Sequence, residues 1–237
     1  MANRFIRHIP NTVTCCNLFS GCIAGVMAFH ANYMMAVLFI VLAAVFDFFD
    51  GMLARLLDAK SPIGKDLDSL ADDVSFGVAP SLIVFSLLEE VQMSDTLDCV
   101  GEWLPYAAFL IAVFSALRLA KFNIDTRQTT SFIGLPTPAN ALFWGSLAVG
   151  IHDWLIVSPY ALWVLLGLVL LTSWLLVAEI PMFSLKFKNL GWRDNKVRFV
   201  FLLVCIPLVC LFRISGLAAI IIWYALLSLL TQRANKI

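Results

Sequence analysis

The residues best suited to chemistry are four aspartates, Asp47 and Asp50, then Asp68 and Asp72. They lie in two runs, Phe46-Asp47-Phe48-Phe49-Asp50-Gly51-Met52-Leu53-Ala54-Arg55 and Gly64-Lys65-Asp66-Leu67-Asp68-Ser69-Leu70-Ala71-Asp72-Asp73. Spacings of three and four put each pair on one side of a helix. The connection from about 58 to 66 is short, so the two helices are antiparallel neighbours and the four carboxylates can converge. Like charges gathered beside apolar sequence are costly unless paired or bound to cations. Ligands that are all carboxylate oxygens select hard divalent ions, Mg²⁺ or Mn²⁺. Four of them can hold two ions ~4 Å apart, an arrangement that clamps a diphosphate and stabilises displacement at phosphorus.

The neighbours suit the same purpose. Gly51 and Ala54 keep the helix surface low, which leaves room for a bulky group beside the carboxylates. Arg55, one turn from Gly51, can fork onto a phosphate, and the Ser61 hydroxyl can donate to a phosphate oxygen. Ser61, Pro62 and Gly64 shape the connecting turn. Asp58 and Asp66 read as loop residues, and Asp73, rotated about 100° from Asp72, as a solvated carboxylate.

The elements that must carry these residues are membrane helices. The chain has 237 residues, 61% hydrophobic and 14% charged, with mean hydropathy +0.91. That excludes a disordered chain, a nucleic-acid-binding module and a disulfide-stapled secreted scaffold. A bilayer core takes roughly 20 helical residues, and apolar segments occur at about 12–30, 33–57, 68–90, 103–122, 137–152, 158–180, 197–212 and 214–231. The prediction is an all-α, polytopic transmembrane bundle of about eight spans. The fifth and seventh are short and the 210–216 junction is tight, which leaves seven or six full crossings as alternatives. No linker or repeat divides the chain, so 1–237 reads as a single integral membrane domain.

Net charge is zero, from 16 basic and 16 acidic residues, but the two signs are segregated. With an even number of spans, Arg4, Arg7, Lys60, Lys65, Lys121, Arg127, Lys186, Lys188, Arg193, Lys196, Arg198, Arg233 and Lys236 fall on one side. Arg55 and Arg118 lie near it, and Arg213 is on the other. Glu89, Glu90, Asp95, Asp98, Glu102 and Asp153 mark the opposite side. The positive-inside rule then makes both termini, the basic loops and the aspartate cluster cytoplasmic, in a multi-pass protein of the cell (inner) membrane.

Arg4 and Arg7 ahead of an apolar run invite a signal-peptide reading. Asn17 interrupts that run and no small-residue cleavage site follows, so the segment is expected to be retained. Gly21 and Gly25, four apart, suit close helix packing. Trp103 and Trp154 read as outer interfacial anchors and Trp192 as an inner one. Cys15, Cys16, Cys22, Cys99, Cys205 and Cys210 form no C-x-x-C pair and read as packing residues, without metal ligation or disulfides. His8, His30 and His152 are far apart in this topology, so no hydrolytic triad is expected.

The pattern Asp47-x2-Asp50-Gly51-x2-Ala54-Arg55-x8-Gly64-x3-Asp68-x3-Asp72 resembles the signature of the CDP-alcohol phosphatidyltransferases at every defining position. The resemblance implies a six-helix transmembrane core, a homodimer, two divalent cations and a CDP-alcohol bound at the cytoplasmic face. Carried over position by position, it makes Asp47, Asp50, Asp68 and Asp72 metal ligands, with Asp72 also the proton acceptor. Gly51, Arg55 and Ser61 match positions that touch the nucleotide diphosphate, and Ala54 and Gly64 complete the CDP-diacylglycerol surface.

Further stretches resemble the phosphatidylserine synthase branch. They are Asp68 to Ser81, Ala116-Leu117-Arg118-Leu119-Ala120-Lys121-Phe122-Asn123, Phe132-Ile133-Gly134-Leu135-Pro136-Thr137-Pro138-Ala139 and Pro10-Asn11-x2-Thr14-x2-Asn17. The likeness covers about 9–141, with remaining transmembrane helices over 142–237. In that branch Lys121 is often arginine, which leaves the charge intact. It implies L-serine as acceptor, with Arg118 and Lys121 either holding the serine carboxylate or anchoring a helix end. Asn11 and Asn17 either contact the nucleotide, the preferred reading, or cap the first helix.

The expected reaction moves a phosphatidyl group from CDP-diacylglycerol to the serine hydroxyl and releases CMP. The nearest rival is a phosphate-bearing acceptor, glycerol phosphate or inositol phosphate, which needs a denser basic pocket. A cation transporter is a remote rival, because its carboxylates belong near the membrane midplane.

Overall fold

The computed structural model describes residues 8–59, 61–91, 101–125, 132–183 and 191–234. Helices α1 (His8–Phe29) and α2 (Tyr33–Leu56) form an antiparallel hairpin. Ala31 turns the chain with φ of 55°, and the Asn32 side-chain oxygen accepts from the Met35 N–H at 3.3 Å to cap α2. Beyond α2 the chain reverses at Asp58, φ 46°, a left-handed position that a short polar side chain tolerates.

Next comes one continuous rod of 27 residues, Gly64–Glu90. It consists of α3 (Gly64–Asp73), a π-helical turn (Val74–Val78) and α4 (Ala79–Glu90). The wide turn has a local cause. Pro80 has no N–H to give the Phe76 carbonyl and its ring would crowd it; with one extra residue in the turn, the Ala79 N–H bonds the Val74 carbonyl instead.

Helix α5 (Leu110–Ile124) follows a 3-10 turn over Leu104–Phe109. Strand β1 (Phe132–Ile133) leads to α6 (Thr137–Gly150), the short α7 (His152–Val157), α8 (Ala161–Val177) and strand β2 (Pro181–Met182). The two strands pair antiparallel, Phe132 opposite Met182. Gly134, φ 77°, lets this ribbon press on α8, since a Cβ there would lie 2.4 Å from the Leu176 carbonyl oxygen. Helices α9 (Trp192–Phe212), bent at Asn195 and containing Pro207, and α10 (Ser215–Ala234) complete the chain.

All eight predicted apolar segments are helical, and the fold is an all-α polytopic membrane bundle. Among the described residues, five helical segments have the length and apolarity to cross a membrane: His8–Phe29, Tyr33–Leu56, Gly64–Glu90, Leu104–Ile124 and Asn195–Phe212. Ala161–Val177 and Ser215–Thr231 are shorter apolar helices. Helix α6, at 14 residues, is only about 21 Å long by its rise per residue, against a ~30 Å core. Its chain breaks at Ile151 and resumes as α7.

The rod is the centre of the bundle. Ile83, Leu87 and Leu88 are fully buried among Ile40 of α2, Ile111 of α5, Trp144 of α6 and Leu165 of α8. Lipid tails are as apolar as leucine, so close contact and interhelical hydrogen bonds must hold such helices together. Gly21 and Gly25 supply the contact: a Cβ on Gly21 would stand 2.2 Å from Ser75 Oγ, and one on Gly25 3.0 Å from Leu82 Cδ1. Ser75 Oγ donates to the Asn17 carbonyl at 3.1 Å and Ser86 Oγ to the Ala28 carbonyl at 2.9 Å. The outer faces of α1 and α2 present Phe19, Leu38, Phe48 and Phe49 outward, as lipid contact requires.

Two readings are corrected, one of an aspartate and one of three cysteines. Asp66 lies in the first turn of α3 rather than in a loop, because the helix starts at Gly64. Cys15, Cys22 and Cys210 are exposed on their helices and do not pack in the core. Trp103 and Trp154 project from the surface. Arg4, Arg7, Lys60, Asp95, Asp98, Cys99, Arg127, Lys186, Lys188 and Lys236 lie outside the described residues, as do the side chains of Trp192, Arg193 and Arg233.

Candidate active site

Three elements build the site: the last turns of α2, the first turns of α3 and the first half of α1. Helix α2 brings Asp47 and Asp50, α3 brings Asp68 and Asp72, and the short turn between them makes the helices antiparallel, as the spacing predicted. One carboxylate oxygen each from Asp47, Asp50 and Asp68 falls within a mutual distance of 4.8 Å. Asp72 stands close beside Asp47, within electrostatic reach of Asp68 and Asp50. Two carboxylates so close need a proton or a cation between them. An oxygen of Asp68 is buried without a hydrogen-bond partner. An all-oxygen donor set with an unfilled buried lone pair is what a hard divalent ion fits.

Helix α1 aims a line of polar residues at this cluster. Asn11, Thr14 and Asn17, at three-residue intervals, share one helix face. Thr14 Oγ1 donates to Asp50 at 2.6 Å and the Asn17 amide donates to Asp72 at 3.1 Å, while the Asn11 amide donates to Ser61 Oγ at 3.0 Å. Both asparagines are inside α1, so neither caps it. Asn17 acts on Asp72 directly, and Thr14 is the support that residue typing alone left without a role. Its signal was the three-residue spacing it shares with Asn11 and Asn17.

Beside the carboxylates opens a cleft of about 410 Å³. Asn11, Asp50, Gly51, Ala54, Ser61, Gly64 and Asp68 line it, together with Thr14 and Lys65. A Cβ on Gly51 would meet nothing within 4 Å, which is the low surface a large ligand needs. Arg55 is exposed one turn beyond Gly51. Lys65, one of the basic residues that mark the cytoplasmic side in the sequence, also adds a cation to the wall and donates to the Asn123 carbonyl at 2.6 Å.

Arg118 and Lys121 part company. Arg118 is 8% exposed, donates from Nη1 to Thr137 Oγ1 at 3.3 Å and is attracted by Asp72. Lys121 is exposed and shares a small cleft with Arg118, Asp125 and Glu179. The geometry therefore brings Arg118, not Lys121, to the back of the aspartate cluster.

Comparison with known proteins agrees with this geometry. The family model for CDP-alcohol phosphatidyltransferase matches residues 7–174. A CDP-diacylglycerol–serine O-phosphatidyltransferase of Bacillus subtilis is 40% identical over 133 residues, 56% of this chain and 71% of the relative. One of Helicobacter pylori is 32% identical over 202 residues, 84% of this chain and 80% of the relative. One of Methanocaldococcus jannaschii is 33% identical over 171 residues, 72% of this chain and 74% of the relative. With the family model spanning both aspartate-bearing helices, the chain belongs to the CDP-alcohol phosphatidyltransferase family.

Proposed function

We propose that the chain is a phosphatidylserine synthase, which transfers the phosphatidyl group of CDP-diacylglycerol to the hydroxyl of L-serine and releases CMP. The observation that carries this reading is the position of Arg118, a buried cation within the field of Asp72 and behind the metal-suited carboxylates. A small anionic acceptor that must bring a hydroxyl to Asp72 finds its counter-charge there. The names of the relatives from three organisms point to the same acceptor.

In this reading Asp47, Asp50, Asp68 and Asp72 hold two divalent cations, Mg²⁺ or Mn²⁺. When bound, these neutralise the diphosphate and the charge that grows on departing CMP. The protein's own groups do the rest. The cleft of Asn11, Gly51, Ala54, Ser61 and Gly64 seats the CDP head group, and Arg55 offsets phosphate charge at its rim. Serine oxygen attacks phosphorus, the bond to CMP breaks, and CMP leaves with the electron pair. Asp72 accepts the serine proton, and the Asn17 amide fixes the carboxylate oxygen that does not take it. The diacyl tails remain in lipid while cytidine stays in water, so the carboxylates belong at a helix end and not at mid-span.

The reading extends to a single membrane domain working as a homodimer in the cell (inner) membrane, termini and active site cytoplasmic. Lys65, Arg55 and Arg118 all lie toward the aspartate end, as the positive-inside rule requires.

An acceptor panel tests the proposal. Purified protein in mixed micelles with CDP-diacylglycerol and Mn²⁺ is expected to release CMP with L-serine and not with glycerol 3-phosphate or inositol phosphate. Release with a phosphate acceptor and none with serine would overturn it. A direct displacement also predicts no exchange of labelled CMP into CDP-diacylglycerol when serine is absent; such exchange would require a covalent intermediate.

A further inference from the structure

Behind the aspartate cluster, on α3, α5 and α6, lies a second set of buried polar atoms without partners. Asp73 Oδ1, Ser115 Oγ, Arg118 Nε and both polar atoms of the Asn140 amide are buried with no hydrogen bond. Buried polar groups without partners are few in native proteins, and each calls for an explanation. These are not scattered. Asp73 Oδ1 and Ser115 meet over Gly77, where a Cβ would stand 2.7 Å from the first and 3.0 Å from the Cβ of the second. Arg118 is one turn after Ser115 on α5 and bonds Thr137, and Asn140 is one turn after Thr137 on α6. Ser115 and Asn140 are fully buried.

This set includes an anion, Asp73, a cation, Arg118, and neutral groups, and the atoms named are not satisfied by one another. Asp73 follows Asp72 directly and is rotated about a quarter turn from it, so it faces α5 while Asp72 faces the metal-suited carboxylates. The π turn begins at the next residue, Val74.

We infer that Asp73, with Ser115, binds the α-ammonium of the acceptor, while Arg118 and the Asn140 amide bind its α-carboxylate. This makes Asp73 the residue that restricts the acceptor to an amino acid. The inference rests on the proposed use of L-serine. A zwitterion one carbon from its hydroxyl supplies a cation to the unpartnered carboxylate and an anion to the unpartnered donors, and it leaves the hydroxyl toward Asp72. An acceptor phosphate would meet the Asp73 carboxylate head-on.

The test uses the purified full-length protein and Asp73→Asn. It measures KM for L-serine and for CDP-diacylglycerol, and inhibition by L-alanine, which keeps both charges, and by propionate, which lacks the ammonium. The serine KM and the L-alanine inhibition constant are expected to rise together ~10–100-fold, the range for loss of a charged hydrogen bond. Propionate inhibition and the CDP-diacylglycerol KM are expected to stay within about threefold, well under that range. A serine KM unchanged in Asp73→Asn overturns the inference, and so does equal weakening of L-alanine and propionate, which is the mark of a merely structural role. If Asp73→Asn does not fold, Ser115→Ala decides, with the same selective pattern at ~3–10-fold expected and its absence contrary. Failure of the wild-type protein to use serine at all would instead defeat the proposed function, so the two failures are distinct.

Discussion

Among the described residues both ends of the bundle carry carboxylates, and they differ in partnering: Glu90 at one end has both oxygens engaged, whereas the aspartates at the other do not. At the end opposite the aspartates, the Tyr33 hydroxyl donates to Glu90, and His152 Nε2 lies 2.7 Å from the other Glu90 oxygen. The His152 ring packs at 5.4 Å from that of Tyr33, and its Nδ1 is 3.4 Å from Asp153. These contacts fasten the α1–α2 turn, the end of the rod and the start of α7. The same end receives the α9–α10 junction, because a Cβ on Gly150 would stand 1.8 Å from Ser215 Oγ. At the aspartate end four carboxylates converge with a hydroxyl and an amide from α1, and of their own oxygens one on Asp68 is buried without a partner. Acids paired within the protein hold helices together. Acids left without partners in a buried place await a ligand.

Substitutions at the two ends should therefore behave differently. The largest contrast is Asp72→Asn against Glu90→Gln. Asp72→Asn is expected to lower turnover at least ~10³-fold, since in the proposed mechanism it removes both an ionic ligand and the proton acceptor. Glu90→Gln keeps the shape of the clasp, and its turnover is expected to stay within a small factor of wild type. Steady-state CMP release reads both, and comparable losses would erase the distinction.

A smaller effect is expected at the support beneath the ligands. Thr14→Val removes the donor to Asp50 with little change in volume. Loss of such an orienting partner weakens a metal site by ~10–100-fold, so half-saturation by Mn²⁺ should move upward by that factor while maximal turnover changes less. An unchanged Mn²⁺ dependence would deny Thr14 this role.

The smallest effect belongs to the satisfied end. His152→Phe keeps a ring against Tyr33 and loses the bond to Glu90, which should cost about 0.5–1.5 kcal/mol of stability. Thermal unfolding in detergent measures it, with turnover at permissive temperature unchanged. A loss of activity there would mean that the two ends are coupled.

The sequence made one of these ends far more legible than the other. Hydropathy located every apolar helix to within a few residues, because a bilayer imposes one strong rule on all of them, but among the described residues only five helical segments reach the length that a crossing takes. The carboxylate pairs were legible from spacing within single helices, and the short turn from 58 to 63 fixed their partnership. The clasp of Tyr33, Glu90 and His152 joins residues up to about 120 positions apart, and no local pattern announces it. Asp73 was misread for a related reason. A helical wheel shows only that it turns away from Asp72, not that α5 brings Ser115 against it. The wide turn from Val74 has its cause in Pro80, but a proline is equally at home in the first turn of an ordinary helix, so its position alone does not announce the extra residue. Lys121 resembled Arg118 in sequence, yet one side chain is exposed and the other buried.

The central claim is that the aspartate end is completed by divalent ions. Mn²⁺ binding to the purified protein, counted by titration with and without CDP-diacylglycerol, tests it most directly. The account predicts two ions per chain in the presence of the substrate, with binding weakened strongly by Asp47→Asn or Asp68→Asn and left intact by Glu90→Gln. Full turnover in the presence of a chelator, with no ion bound, would contradict it.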